Sequence, residues 1–465
     1  MRVSDRFMTK DRTDGRPRRD DILSATLKGS KKRVRRIPFF LSLGLLVMAL
    51  GSCGNPPSNS NNINFAYGVA VCSSNTCNVS PQTPANPPSP LTATAQFSAV
   101  TSYGSRQVLI FTGYTSSSSS NSWLISNNSL SPSTSLYNSL QGPDGILISS
   151  QAFKTANGYV CPAPVLYGAD GIGNIVGIWC SFDPNNGSNP APTITISSGS
   201  FQSPEGMALD WVNSSGTSLD APILFVANPG SSDILAFDLS QITGPGTANL
   251  SPSGGLLPGT NGGLPFGQPA NNTELNGPAF VAFSNSKNTL FVSDTGNSQV
   301  NLYGNGYCIG VNQESTRPTN CSSSQNITPS VWFSGSNTYL SSPSGIAYYQ
   351  DGLYVVDPSA GAVLIWDNVM NITSPGGNIA PTRRINGSNT NQNYPYALAI
   401  DGNTTVPPGN TFFVSQLGSG QILGYNNATT ISGNIAPTYT IGVTNPSLSS
   451  GNTSGGGTTG YPGFP

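Results

Sequence analysis

Histidine is absent from all 465 residues, which excludes Ser-His-Asp and Cys-His catalysis, HExxH zinc sites and histidine-ligated haem. The Cys-x-x-Cys-His signature of attached haem is missing for the same reason, so no haem is expected. Charge is scarce too: Asp, Glu, Lys and Arg make up 8% of the chain, against about a quarter in a typical soluble domain. What charge there is sits unevenly. Residues 1–52 hold 13 of the 19 basic residues and five of the 20 acids, leaving six bases against 15 acids downstream. The body is therefore kept in solution by Asn, Ser, Thr and Gly. It lacks the basic patch that nucleic acid requires, so no nucleic-acid partner is expected.

Long hydrophobic runs are also missing, with one exception. Ile37 to Leu50 is apolar for about 14 residues and follows Lys31-Lys-Arg-Val-Arg-Arg36. A bilayer span needs about 20 residues, so this run suits the core of a signal peptide. Leu50-Gly51-Ser52-Cys53 follows directly and resembles the bacterial lipobox. The resemblance implies removal of residues 1–52 and a lipid on Cys53, the chain's link to the membrane. Gly54 at the next position favours the outer membrane or cell surface. Residues 53–92, rich in Pro, Ser and Asn, read as a lipid-anchored linker, and residues 446–465 as a flexible Gly/Thr tail. Besides Cys53 there are six cysteines, Cys72, Cys77, Cys161, Cys180, Cys308 and Cys321. An even number in an exported chain points to disulfides, and these fall into three local pairs.

Between linker and tail the sequence repeats. Pro143-Asp-Gly-Ile-Leu-Ile148, Pro204-Glu-Gly-Met-Ala-Leu-Asp210, Pro278-Ala-Phe-Val-Ala-Phe283, Pro343-Ser-Gly-Ile-Ala-Tyr348 and Pro395-Tyr-Ala-Leu-Ala-Ile-Asp401 share one opening. Two further apolar runs follow each opening, the second ending near an aromatic: Trp179, Phe237, Tyr303, Trp366 and Tyr425. A fourth element recurs as Pro190-Ala-Pro-Thr193, Asn378-Ile-Ala-Pro-Thr382 and Asn434-Ile-Ala-Pro-Thr438. Four short β-rich runs per unit, separated by Gly/Asn/Asp/Ser turns, describe propeller blades. A weaker copy at Gln107 to Phe111 and Ser122 to Ile125 brings the expected count to six blades over residues 93–445. The openings resemble the NHL repeat, and Leu290-Phe-Val-Ser-Asp294-Thr-Gly-Asn297 is the nearest copy. The fold class expected is thus an all-β, six-bladed, NHL-like propeller behind a signal peptide and linker.

Candidate chemistry is sparse. Aligned blades place Asp170, Asn228, Asp294, Asp357 and Gln416 at the end of the second strand, where oxygen ligands near one rim of the channel suit Ca²⁺. The competing reading is that these side chains cap the turns that follow them, as Asp210 and Asp401 do after first strands. Glu205 resembles the metal-binding glutamate of six-bladed lactonases of the gluconolactonase type, and is equally read as an exposed variant of a free position. The regular aromatics read as packing between blades. Residues 241–275 and 304–326 break the repeat, and insertions on a rigid scaffold are where binding specificity usually sits. The function expected is that of an exported envelope lipoprotein, a non-catalytic module binding an envelope protein or ligand. The alternative is a Ca²⁺-dependent hydrolase or lactonase. Few charges and no histidine leave little for acid to disrupt, so acidic surroundings are an added expectation.

Overall fold

The computed structural model describes residues 140–441, apart from residues 184–188, 259–272, 316, 373–375 and 402–410, together with five strands before residue 140. The leader, Cys53 and the tail lie outside the described residues.

Five sheets between Pro143 and Ile441 share one plan, an antiparallel meander of four strands in chain order. Blade 1 is Pro143–Ser149, Val165–Asp170, Ile175–Trp179 and Ile194–Ser197. Blade 2 is Met207–Val212, Ser218–Asn228, Asp233–Asp238 and Gly254–Leu256. Blade 3 is Pro278–Ser284, Thr289–Asp294, Gln299–Gly304 and Val331–Phe333. Blade 4 is Ile346–Tyr349, Gly352–Asp357, Ala362–Trp366 and Arg383–Ile385. Blade 5 is Pro395–Asp401, Thr411–Gln416, Gln421–Tyr425 and Tyr439–Ile441.

The expectation of six blades is corrected to five. The strand Gln107–Thr112 belongs to an N-terminal sheet of five strands, led by Ala66–Ser73 and its partner Thr76–Cys77, from the stretch expected to be linker. The run Ser122 to Ile125 lies outside the described residues. Ala66–Ser73 meets the first strands of blades 1 and 5, so this sheet lies between them without being a copy of the repeat. Its first strand, Ala66-Tyr-Gly68-Val-Ala-Val71, lacks the proline that begins each of the five openings.

The opening's glycine is where one blade meets the next. A Cβ at Gly206 would stand 2.5 Å from Phe280 Cα, one at Gly345 2.6 Å from Ala397 Cα, and one at Gly145 would overlap the Glu205 carbonyl. The approach lets the Gly206 amide donate to the Ala279 carbonyl at 3.0 Å and the Gly345 amide to Tyr396 at 2.7 Å. Apolar cores then fill the space between neighbouring blades. Phe237, Tyr303, Trp366 and Tyr425 are at most 1% exposed within those cores, and Trp179, 2% exposed, lies in a further core with Val108 and Leu136 of the N-terminal sheet. Phe225 stacks on Phe283 at 5.5 Å, and Phe333 on Trp366 at 4.9 Å, offset ring contacts that add to area burial.

Outer edges are linked as well. Gly376–Gly377, on the way to the fourth strand of blade 4, pairs in parallel with Val331–Phe333 of blade 3. Next to it, Asn378 accepts from the Asn337 amide at 2.6 Å, and one blade later Asn434 accepts from Asn389 at 2.8 Å. The recurrent Asn-Ile-Ala-Pro-Thr element is thus a latch to the blade before.

Candidate functional site

The polar column lies where the alignment of blades puts it, and all five of its side chains are fully buried. Each accepts from the loop that leads into its own blade. Asp170 takes amides from Gln141 at 2.6 Å, Gly142 at 2.8 Å and Gly173 at 2.8 Å. Asn228 takes Gln202 at 2.6 Å, Asp294 takes Asn276 at 2.9 Å, and Gln416 takes Asn393 at 2.8 Å. Asp357 accepts from Ser341 at 2.6 Å, Ser342 at 3.0 Å and Ala360 at 2.9 Å. These residues tie the second strand to the chain entering the first, and Asp170 and Asp357 also cap the turn that follows. Among the described residues, no three Asp, Glu, Cys or His side chains come together as ligands for one ion. Asp210 accepts from the Val212 amide at 2.9 Å, a bond across the bulge inside the first strand of blade 2 rather than the expected turn cap; the side chain of Asp401 lies outside the described residues.

A second set of groups occupies the free position of the openings, directly after Pro: Asp144, Glu205, Ala279, Ser344 and Tyr396. Tyr396 of blade 5 donates its hydroxyl to Glu205 Oε1 of blade 2 at 2.9 Å, so these ends face one another. Burial pushes Glu205 up to about 7. It also raises Asp144 well above the usual carboxylate range, with the charges of Glu205 and Asp170 adding to the effect. The sequence singled out Glu205 alone; comparing the free position across openings is the signal that finds Asp144 and Tyr396.

The third feature is built by the insertion at residues 304–326. It carries a short helix, Gly306–Gly310, and is closed by the Cys308–Cys321 disulfide, with Cα atoms 5.1 Å apart. It packs back on the last strand of blade 2. Asn312 Nδ2 donates to Gly255 at 2.9 Å, the Gln313 amide to Ser253 at 2.9 Å and Ser253 Oγ to Gly310 at 2.8 Å. A second disulfide, Cys161–Cys180, lies in blade 1. Its neighbouring hairpin, Phe153–Lys154 with Val160–Cys161, is held to blade 2 by the Ala156 amide on Ser240 at 2.9 Å. Backbone register sets Cys72 opposite Cys77; their side chains lie outside the described residues.

Hairpin, blade 2 and insertion together enclose a cleft of about 310 Å³ walled by Lys154, Asp220, Asp238, Tyr307 and Glu314. Burial first, then the neighbouring Asp238, lifts Glu314 to about 7. Gln241 Nε2 donates to Glu314 Oε1 at 3.3 Å, and Ser240 supplies its amide at 2.8 Å and hydroxyl at 2.7 Å to Asp238. Two ion pairs join Lys287 with Asp351 and Arg383 with Asp367. Neither involves this cleft.

No protein-family model matches the chain, and comparison with curated proteins finds no match in sequence. Among solved structures it is similar to a virginiamycin B lyase from Staphylococcus aureus, at 11% identity over 81% of this chain and 85% of that one, with a TM-score of 0.37. A streptogramin B lyase gives 11%, 82%, 86% and 0.41, and a chain of a nidogen/laminin complex 13%, 74%, 95% and 0.38. At such values the likeness concerns fold alone. The propeller assignment stands on the chain's own five repeated sheets.

Proposed function

We propose that this chain is an exported cell-envelope lipoprotein, held at the outer membrane or cell surface by a lipid on Cys53. Its NHL-like propeller serves as a non-catalytic binding module, with the ligand surface at the braced insertion. The observation that carries binding over catalysis is the commitment of the polar column to backbone amides of its own blades. That leaves the single-copy cleft beside the insertion as the feature the fold does not need. The disulfides Cys161–Cys180 and Cys308–Cys321 support an oxidising compartment. Acidic surroundings are supported by buried carboxyls whose proton affinity is raised, among them Asp210 and Asp294.

The test is mass spectrometry of the mature amino terminus with membrane fractionation. A lipid-modified Cys53 is expected, and Cys53→Ser is expected to release the protein from membranes. An unmodified thiol at the processed end would overturn the anchor.

A second reading, a Ca²⁺-dependent hydrolase, is favoured by the raised proton affinities of Asp144 and Glu205 where blades 1 and 2 begin, since a carboxyl protonated near neutrality suits general-acid work. Metal analysis of the purified protein separates the two: one tightly held calcium per chain, lost together with an activity in Glu205→Gln, would replace the binding reading.

A further inference from the structure

Two turns of the propeller are copies of each other. Gly335-Ser-Asn-Thr-Tyr339 leads into blade 4 and Gly387-Ser-Asn-Thr-Asn391 into blade 5. Each begins at a glycine with positive φ, and its threonine hydroxyl donates back to that glycine's carbonyl, Thr338 to Gly335 at 2.6 Å and Thr390 to Gly387 at 2.7 Å. Each also takes one of the Asn latches, through the Asn337 and Asn389 amides. The fifth residue ends the turn in the left-handed conformation, at φ 60° for Tyr339 and 54° for Asn391. Asparagine tolerates that conformation, and a bulky aromatic is strained in it. Blade 5 shows what the turn itself needs, so Tyr339 carries strain that the fold does not require, which is the mark of a functional position.

The tyrosine also stays out of the core. Tyr339 is 50% exposed, the most exposed large hydrophobic side chain among the described residues. At 4.3 Å from its ring centroid stands the guanidinium of Arg384, on the outermost strand of blade 4. The register that sets Arg384 opposite Leu364 sets Thr440 opposite Leu423 in blade 5, so the copy lacks the cation as well as the ring. Arg383 is committed to Asp367, whereas no carboxylate pairs with Arg384 among the described residues. Arg384 Nε donates to Asn386 Oδ1 at 3.1 Å, which steadies the guanidinium and leaves its two Nη groups available as donors.

An exposed aromatic ring beside a steadied fork of donors suits a sugar. A pyranose has an apolar C–H face that lies flat on an aromatic ring, and its adjacent hydroxyls accept from the two arms of a guanidinium. A protein interface is less well matched. It needs an apolar core within about 1,000 Å² or more of buried surface, and the other exposed large hydrophobics, Val160, Ile172 and Leu257, lie in blades 1 and 2.

We propose that Tyr339 and Arg384 form a glycan subsite, one pyranose ring stacked against the exposed side of Tyr339 and its adjacent hydroxyls held by Arg384. The subsite is separate from the insertion and goes beyond the reading above. A guanidinium stays charged in acid and ring stacking involves no ionisation, so binding persists in acidic surroundings.

Calorimetry on the intact protein at pH 3 and pH 7, with cellohexaose and chitohexaose as probes, tests the proposal. Saturable binding of at least one probe is expected at both pH values. Tyr339→Asn and Arg384→Thr rewrite the pair as its blade 5 counterpart, and each is expected to weaken binding by about tenfold or more. The thermal midpoint of Tyr339→Asn should at the same time match or exceed that of wild type, because asparagine relieves the strained backbone. A purely structural tyrosine would give the opposite shift. Absence of saturation by both probes, loss of binding at pH 3, undiminished binding in either variant, or a lowered midpoint in Tyr339→Asn would overturn the proposal.

Discussion

The column at the ends of the second strands and the cleft beside the insertion are both polar, and they differ in number. A feature present in all five blades, with each member accepting from its own leading loop, serves what the blades have in common, which is folding. A feature seen once among the described residues, built where the hairpin and the insertion flank blade 2, has no such duty. Stability measurements should separate them. Asp357→Ala strands the amides of Ser341, Ser342 and Ala360. These bonds are part-buried and a hydrogen bond contributes about 0.5 to 1.5 kcal/mol net, so the three together predict a loss of about 3 kcal/mol in urea unfolding. Glu314→Gln should stay within about 0.5 kcal/mol of wild type at pH 7. Equal losses at the two sites would erase the distinction.

The comparison also has a pH dimension. Burial raises Asp210 from 3.8 to about 8 and Asp294 from 3.8 to about 7, so both bind protons more readily folded than unfolded. Stability from this source is complete below about pH 4 and is lost as pH rises through 7 to 8. Thermal midpoints should therefore be higher at pH 5 than at pH 8, the reverse of ordinary acid sensitivity. Asp210→Asn, which removes the burial cost of a charge and keeps an acceptor for Val212, should raise the midpoint at pH 8 and lose that advantage by pH 5. A midpoint that climbs steadily from pH 5 to pH 8 would contradict the burial argument and with it the acid-surroundings reading.

Much of the blade plan was legible because the constraints on it repeat. The Pro-x-Gly opening recurs since the Gly145, Gly206 and Gly345 positions admit no side chain against the next blade, and the aromatic third strands recur since they fill the space between blades. The blade count was misread at Gln107–Thr112: it is extended and enters a sheet whose first strand, Ala66–Ser73, begins without the opening's proline, and apolar alternation alone does not distinguish the two. The column ends the second strands, and the sequence left open whether its oxygens face an ion or amides, because the donors come from residues 15 to 29 positions away. Glu314 and Asp238 were not legible as a pair, since they are 76 positions apart and Glu314 sits inside a disulfide-closed loop.

The smallest expected effect is at the outer latches, which share the column's logic with fewer bonds. Asn378 and Asn434 each accept one amide from the preceding turn, Asn337 at 2.6 Å and Asn389 at 2.8 Å. Both of those turns are exposed, so water can replace a lost acceptor. Alanine at either position should then cost only about 1 kcal/mol, and the two losses should add in the double variant because the latches join different pairs of blades. Hydrogen exchange at the Asn337 and Asn389 amides reads each latch separately: Asn378→Ala should speed exchange at Asn337 and leave Asn389 unchanged. Faster exchange at both would mean that blades 3, 4 and 5 loosen as one unit, and the edge contacts would then belong with the column as a shared requirement of the fold.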